Sequence, residues 1–168
     1  TWKAWPPSSP SAHRVSRIAE PMKDTSFNDA QHLAERVRDT MFATDRCAHA
    51  MGMEVTAISP GHASVAMTVR EDMLNGFGTC QGGLIATLAD MAFAYACNSY
   101  NELTVASGFD VDLLGPGKPG DRLTATGRVV SQGSRMGVYD IEVSNQSGER
   151  IAVFRGRSYR MKGKQVVT

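Results

Sequence analysis

The sequence predicts an α+β domain in which a curved antiparallel sheet of about five to six strands wraps one long central helix. Three observations carry this. The stretch from Leu84 to Cys97 is apolar all round rather than striped, as in a helix buried on every face. The segments on either side alternate apolar and polar residues and are separated by turn signals, with no second long helix after it, which favours antiparallel pairing. Glycine is frequent, 16 of 168 residues, against a usual share of about 7%, as expected of a chain with many turns.

A length of 168 residues accommodates one globular domain and a tail at the usual ~150 residues per domain. Residues 1–26 read as a flexible leader, because Pro6-Pro7-Ser8-Ser9-Pro10-Ser11 forms turns and two isolated tryptophans, Trp2 and Trp5, build no core. Without a 7–15-residue apolar segment, no secretory signal is expected there. The domain is placed at residues 27–163, and residues 164–168 read as a C-terminal tail.

The first element is an amphipathic helix to about Ala43. Asn28-Asp29-Ala30-Gln31 matches a capping box, and Leu33, Val37, Met41 and Phe42 recur at helical spacing. Met53-Val55-Ala57 and Ala63-Val65-Met67-Val69 alternate with polar residues around Ser59-Pro60-Gly61-His62, which predicts a hairpin. After the central helix come strands at Val105–Leu114, Leu123–Val130, Tyr139–Val143 and Ile151–Tyr159. The turn signals between them predict a meander.

Composition excludes several functions. Lys+Arg 18 against Asp+Glu 17 gives a formal charge of +1, so no basic surface recruits nucleic acid or acidic lipid, although a local patch could hold a phosphate-bearing small molecule. The central helix falls short of the ~20 apolar residues that cross a bilayer, and it contains Asp90. Cys47, Cys80 and Cys97 are odd in number and form no CxxC pair, which argues against a disulfide scaffold or zinc site and fits a reducing, cytoplasmic compartment. Cys47-Ala48-His49 lacks further ligands. No metal and no cofactor are expected.

Asp90 is the anomaly. It is the one ionisable group in a long apolar run, nothing nearby in sequence neutralises it, and burying an unpartnered carboxylate costs several kcal/mol. Upstream, Leu74-Asn75-Gly76-Phe77-Gly78-Thr79-Cys80-Gln81-Gly82-Gly83 approaches the helix. The helix start offers unsatisfied N–H groups and a positive dipole end to a developing oxyanion, and Gly82 and Gly83 allow a carbonyl to come close. Eight residues of helix separate Gly82 from Asp90 by about 12 Å, so the two cannot grip one carbonyl within a chain. If both act on one substrate, Asp90 of one chain meets the Gly82 amide of another in a two-fold dimer.

The sequence resembles the hotdog-fold acyl-CoA thioesterases, on the phenylacetate-degradation branch, over about residues 30–162. The resemblance rests on Leu74-Asn75-Gly76, Cys80-Gln81-Gly82-Gly83, Leu88-Ala89-Asp90, Ala92-Phe93-Ala94-Tyr95-Ala96-Cys97-Asn98-Ser99, Pro119-Gly120-Asp121-Arg122-Leu123-Thr124-Ala125, Gly137–Val143 and Phe154-Arg155-Gly156-Arg157-Ser158. It implies a homodimer with sites at the interface, usually paired into a homotetramer, that hydrolyses phenylacetyl-CoA or ring-hydroxylated phenylacetyl-CoA. By the same resemblance Asp90 is nucleophile or general base, the Gly82 amide polarises the carbonyl, Asn75 orients acyl group or water, and Ser107 lies near the acid. For the CoA phosphates the candidates are Arg135, Arg155 and Arg157. Leu74, Phe77 and Phe109 are candidates to line an aryl pocket.

One departure stands out. Where the family has His-Gly-Gly, this chain has Gln81-Gly82-Gly83, and glutamine hydrogen-bonds but transfers no proton near neutral pH. A histidine that only buttresses the loop leaves Gln81 competent; one needed for charge makes this a weakened enzyme. Cys80 as nucleophile lacks a histidine to form its thiolate. A hydratase needs a histidine on the helix, which has none. A non-catalytic acyl-CoA sensor on the same fold is the alternative, and it needs no buried acid.

Overall fold

The computed structural model describes residues 25–168; the reading of residues 1–24 as a leader lies outside the described residues. Helix α1 (Thr25–Thr44) begins ahead of the expected capping box. Asn28–Gln31 therefore lie inside its first turns, where solvent around Ser26–Asp29 makes poor helix formers cheap. Gln31 instead joins α1 to the sheet, its Nε2 donating to the Ile58 carbonyl at 2.9 Å. Ala34 and Val37 carry the buried stripe. A short helix that the sequence reading missed, α2 (Arg46–Met51), follows. Asp45 caps it by accepting the Ala48 N–H at 3.0 Å, and Gly52 closes it at φ +64°.

The sheet has six strands: β1 (Glu54–Ser59), β2 (His62–Thr68), β3 (Thr104–Leu113), β4 (Arg122–Gln132), β5 (Met136–Ser144) and β6 (Arg150–Arg160). They are ordered β1-β2-β4-β5-β6-β3 and every pair is antiparallel. The β1–β2 hairpin forms as expected, but a bulge between Val55 and Ala57 turns Ile58 inward and leaves Ala57 exposed.

The meander holds only for β4, β5 and β6. Strand β3 pairs with β6, and β4 lies beside β2. The cause is the connection Gly115–Gly120, whose two prolines cannot donate to a ladder and which is too long for a tight hairpin. It crosses the end of the sheet instead, tied by Cys80 N–H to the Gly117 carbonyl at 2.8 Å and Gly120 N–H to the Val69 carbonyl at 2.9 Å.

Helix α3 (Gly82–Asn98) lies in the concave side of this sheet. Close approach is required there. A Cβ on Gly156 would sit 2.8 Å from the Phe93 ring, and one on Gly127 3.3 Å from the Ala92 carbonyl oxygen. Phe93 packs at 5.6 Å from Tyr139 and 5.9 Å from Phe154 between ring centroids, and Leu88, Leu123, Ile141 and Val143 complete the core. At roughly 1.5–3 kcal/mol per large apolar side chain, this burial outweighs a single ill-placed polar group on the same helix.

The outer face carries charge. Arg128, Asp140, Arg155 and Asp110 are successive cross-strand neighbours on β4, β5, β6 and β3, alternating in sign. Residues 164–168 return to the body: Leu103 N–H donates to the Lys164 carbonyl at 3.0 Å, and Val167 is buried. No helix among the described residues is long and apolar enough to cross a membrane.

Candidate active site

The approach to α3 is folded by one side chain. Asn75 Oδ1 accepts the Phe77 N–H at 2.9 Å and the Thr79 N–H at 3.3 Å, and its Nδ2 donates to Thr79 Oγ1 at 3.1 Å. Gly78, at φ +75°, completes the turn, and Leu74 bridges to Cys80 below it. The tip throws Phe77 into solvent, 94% exposed. Backbone bonds then fix the entry to the helix, with Cys80 held to Gly117 and the Gln81 N–H donating to the Met73 carbonyl at 2.8 Å.

Gln81 is the N-cap residue, but its side chain makes no capping hydrogen bond. The hydrogen bonds that hold the loop among the described residues come from Asn75 and from backbone. The first N–H groups of a helix have no partner in their own turn, and those of Gly82 and Gly83 meet no acceptor among the described residues. Leu113 lies against Gly82, where a Cβ would come within 2.5 Å of its Cδ1; a Cβ on Gly83 would point into open space, while the Gly83 carbonyl accepts the Thr87 hydroxyl at 2.8 Å.

Asp90 is part-buried, two turns along the helix. It has no hydrogen bond or ion pair among the described residues, and burial alone pushes its carboxyl above the ordinary value. It borders a cavity of about 340 Å³ whose other walls include Phe93, Ala94, Cys97 and Asn98 of α3, the head of β3, Met41 of α1, and Val166. The lining is apolar but for Asp90, Asn98, Thr104 and backbone. Both ends of the Asn98 side-chain amide are committed, Oδ1 accepting the Thr104 N–H and Nδ2 donating to the Thr104 carbonyl, at 2.9 Å each.

The expected burial of α3 on every side is met toward the sheet but not on the stripe Gly83, Thr87, Asp90 and Ala94. One chain leaves this stripe partly or fully uncovered, because the sheet curls over only part of the helix circumference.

The other expected residues lie apart from the cavity. Ser107 sits at the β3 bulge, its Oγ donating to the Arg157 carbonyl at 3.0 Å. Phe109 stacks on Phe154 at 4.7 Å and remains 44% exposed. Arg155 grips Asp140 with two bonds of 2.7 and 2.9 Å, which hold that carboxyl below the usual carboxylate range. Arg157 pairs with Asp110 at 2.6 Å. Arg135 hydrogen-bonds the Tyr159 hydroxyl and has no carboxylate partner among the described residues. The larger hollow, about 510 Å³, is a groove on the outer face between these ion pairs, remote in topology from Asp90.

Sequence reasoning missed the cavity walls. Ala94, Cys97 and Asn98 stand four, seven and eight residues after Asp90, a helical spacing that marks them as its neighbours. Met41 and Val166 carry no such signal.

Residues 77–152 match the thioesterase superfamily. The acyl-coenzyme A thioesterase PaaI of Escherichia coli is 48% identical over 132 residues, covering 79% of this chain and 94% of that protein. The chain belongs to the thioesterase superfamily. The solved structure of the E. coli PaaI protein from the phenylacetic acid degradation operon superposes on this thioesterase with a TM-score of 0.79 at 47% identity, over 80% of this chain and 98% of that one. A mutant of the phenylacetic acid degradation protein PaaI from Thermus thermophilus gives 0.67 at 36% identity, over 70% and 100%. The hotdog architecture expected from the sequence is therefore the observed one.

Proposed function

We propose that this thioesterase hydrolyses phenylacetyl-CoA or a ring-hydroxylated phenylacetyl-CoA to the free acid and CoA, in a site completed by a second subunit. Acyl-CoA thioester hydrolysis follows from family membership and from the name of the 48%-identical relative. The aryl substrate is supported by the association of two solved PaaI relatives with phenylacetic acid degradation and by the apolar cavity beside Asp90.

One observation carries the mechanism: Asp90 is a part-buried carboxylate without a hydrogen-bond or ion-pair partner among the described residues, bordering a largely apolar cavity. The Gly82 amide, free at the helix start, lies about 12 Å of helix away on the same chain, so a substrate carbonyl near Asp90 takes its oxyanion donor from the partner's copy of that amide. Such a donor contributes about 3–4 kcal/mol of transition-state stabilisation. Asp90 then acts in one of two ways. As nucleophile it attacks the carbonyl carbon, the C–S bond breaks, CoA leaves as thiolate, and water hydrolyses the mixed anhydride. As general base it takes a proton from a water that attacks directly. Asn75 shapes the loop that presents the Gly82 amide, and Ser107 is retained as a water-holding residue once the second subunit is in place.

Dimerisation through β3 is supported by its free edge. The strand runs ten residues, and Val105, Phe109 and Leu113 are 46, 44 and 53% exposed on it. The uncovered α3 stripe carries Asp90 and supports a partner subunit lying against the helix; pairing of dimers into a tetramer is carried by the family resemblance. For the CoA phosphates, Arg135 is the favoured cation of the three. Its carbonyl accepts the Arg160 N–H at 2.8 Å, and an adjoining hollow of about 310 Å³ is lined by Ser134, Lys162, Lys164 and Arg160, the last paired with Glu102 at 2.9 Å. The cysteines are all free, in keeping with a reducing, cytoplasmic setting.

The deciding experiment is release of free thiol from phenylacetyl-CoA and hydroxyphenylacetyl-CoA. Turnover by the native sequence that Asp90→Asn abolishes supports the reading. Binding without turnover identifies the acyl-CoA sensor instead. Single turnover in heavy-oxygen water, with mass analysis of Asp90, separates nucleophile from base.

A further inference from the structure

We infer that Val166, pinned by Asn101, is the back wall of the acyl pocket and sets the size of the acyl group that Asp90 can process. This rests on the reading of Asp90 as the reacting carboxylate.

Asn101 is the one non-glycine residue with positive φ among the described residues, at +61°. Asparagine tolerates that conformation better than other side chains, but it is still unfavourable and persists where surrounding structure imposes it. What imposes it is visible. The side chain is buried, and all its hydrogen bonds go to one short segment. Oδ1 accepts the N–H of Val166 at 3.1 Å and of Val167 at 2.8 Å, while Nδ2 donates to the Val167 carbonyl at 2.8 Å. Three bonds from a buried amide to the backbone of two consecutive residues hold that segment in one place. Arg36 of α1 adds a fourth tie, Nη2 to the Thr168 carbonyl at 3.3 Å.

The segment so held puts Val166 into the lining of the Asp90 cavity. Its position along that cavity follows from the chain. The Asn101 N–H donates to the Asn98 carbonyl at 2.8 Å, so Val166 is anchored at the C-terminal end of α3. Asp90 lies eight residues before Asn98, about 12 Å of helix. The cavity therefore runs from the carboxylate to a wall that includes Val166, and a thioester held at Asp90 points its acyl tail there. On the single chain this hollow measures about 340 Å³ and is open on one side, and Val166 stands in its wall, where loss or gain of a few carbons changes what fits.

The test is the ratio of kcat/KM values among acetyl-CoA, phenylacetyl-CoA and 2-naphthylacetyl-CoA, measured with the full chain. Val166→Ala raises naphthylacetyl over phenylacetyl about tenfold, and Val166→Trp lowers phenylacetyl over acetyl about tenfold, the size of effect that small changes in an apolar pocket produce. Asn101→Gly keeps the backbone conformation but loses all three side-chain bonds, and it shifts the ratios in the direction of Val166→Ala. Unchanged ratios in Val166→Ala and Asn101→Gly, with the thermal midpoint of Val166→Ala preserved, overturn the inference whether or not Val166→Trp folds. Full turnover in a parallel Asp90→Asn variant overturns the underlying site instead, independently of any ratio.

Discussion

Asp90 and Cys97 stand two turns apart on one face of α3 and border the same cavity, and the Cys97 thiol is pushed up to about 12, by burial first and also by the charge of Asp90. Burial disfavours negative charge on both, raising the Asp90 carboxyl as well as the Cys97 thiol, and the Asp90 charge adds to the effect on Cys97. A thiol held neutral in this way is a small apolar wall residue and no competitor to the carboxylate.

Thiol reactivity checks this. Cys80 is buried, with its pKa raised by desolvation, and Cys97 is more so, while Cys47 is exposed on α2. A disulfide-exchange reagent at pH 8 is expected to label one thiol per native chain quickly and all three only after denaturation. Fast labelling of Cys97 in the native protein would contradict the neutral wall described here.

Asp90→Asn is expected to lower kcat by about 10²–10⁴ or more while substrate binding persists. The same variant is expected to be more thermostable at pH 7. The folded-state pKa of Asp90 is raised, so the folded protein binds this proton more tightly than the unfolded chain does. The resulting stability is fully present below the ordinary carboxylate value of about 3.9 and is lost as pH rises through the folded value. Asparagine removes that loss. Melting curves of the two proteins should converge at acid pH and separate at neutral pH; a variant less stable at pH 7 would show an unrecognised partner for the carboxylate.

The pH dependence of kcat/KM follows from the same shift. In either role proposed for it, nucleophile or base, Asp90 would work ionised, so activity is expected to fall as it takes up a proton. The acid limb is expected above the usual carboxylate midpoint of about 3.9. A midpoint at or below that value would mean that the carboxyl is stabilised by hydrogen bonds absent from the single chain.

Much of this was legible in the sequence because the forces involved are local or strongly periodic. The apolar run around Asp90 gave the central helix, and alternation gave the strands with their ends within a few residues. Strand order was less accessible. Whether β3 pairs with β4 or β6 depends on where the proline-containing link at Gly115–Gly120 crosses, and its anchors, Val69 and Cys80, are distant in sequence. The β1 bulge was hidden for another reason: alternation assumes one residue per step, and the extra residue between Val55 and Ala57 exchanges the faces beyond it. Within the proposed site, Asp90 and Gly82 were legible as chemistry that is unusual in its surroundings. Val166 was not, since an apolar residue at the end of a polar stretch is unremarkable until Asn101 is seen to hold it.

Two demands on Gly82, one of packing and one of the proposed chemistry, are separated by a double variant. A Cβ there would meet Leu113 Cδ1 at 2.5 Å, the far end of a flexible side chain; the proposed catalysis needs the approach to the Gly82 N–H open. Leu113 is 53% exposed, and its side chain can swing outward, so Gly82→Ala is expected to melt close to the native protein. Its kcat should nevertheless fall by about 10²–10³, the loss typical of disabling one oxyanion donor, because the methyl group stands where the carbonyl must come. Adding Leu113→Ala relieves the packing contact and leaves the obstruction in place. If the second substitution restores turnover, glycine is there for Leu113 alone; continued loss assigns Gly82 to the reacting carbonyl.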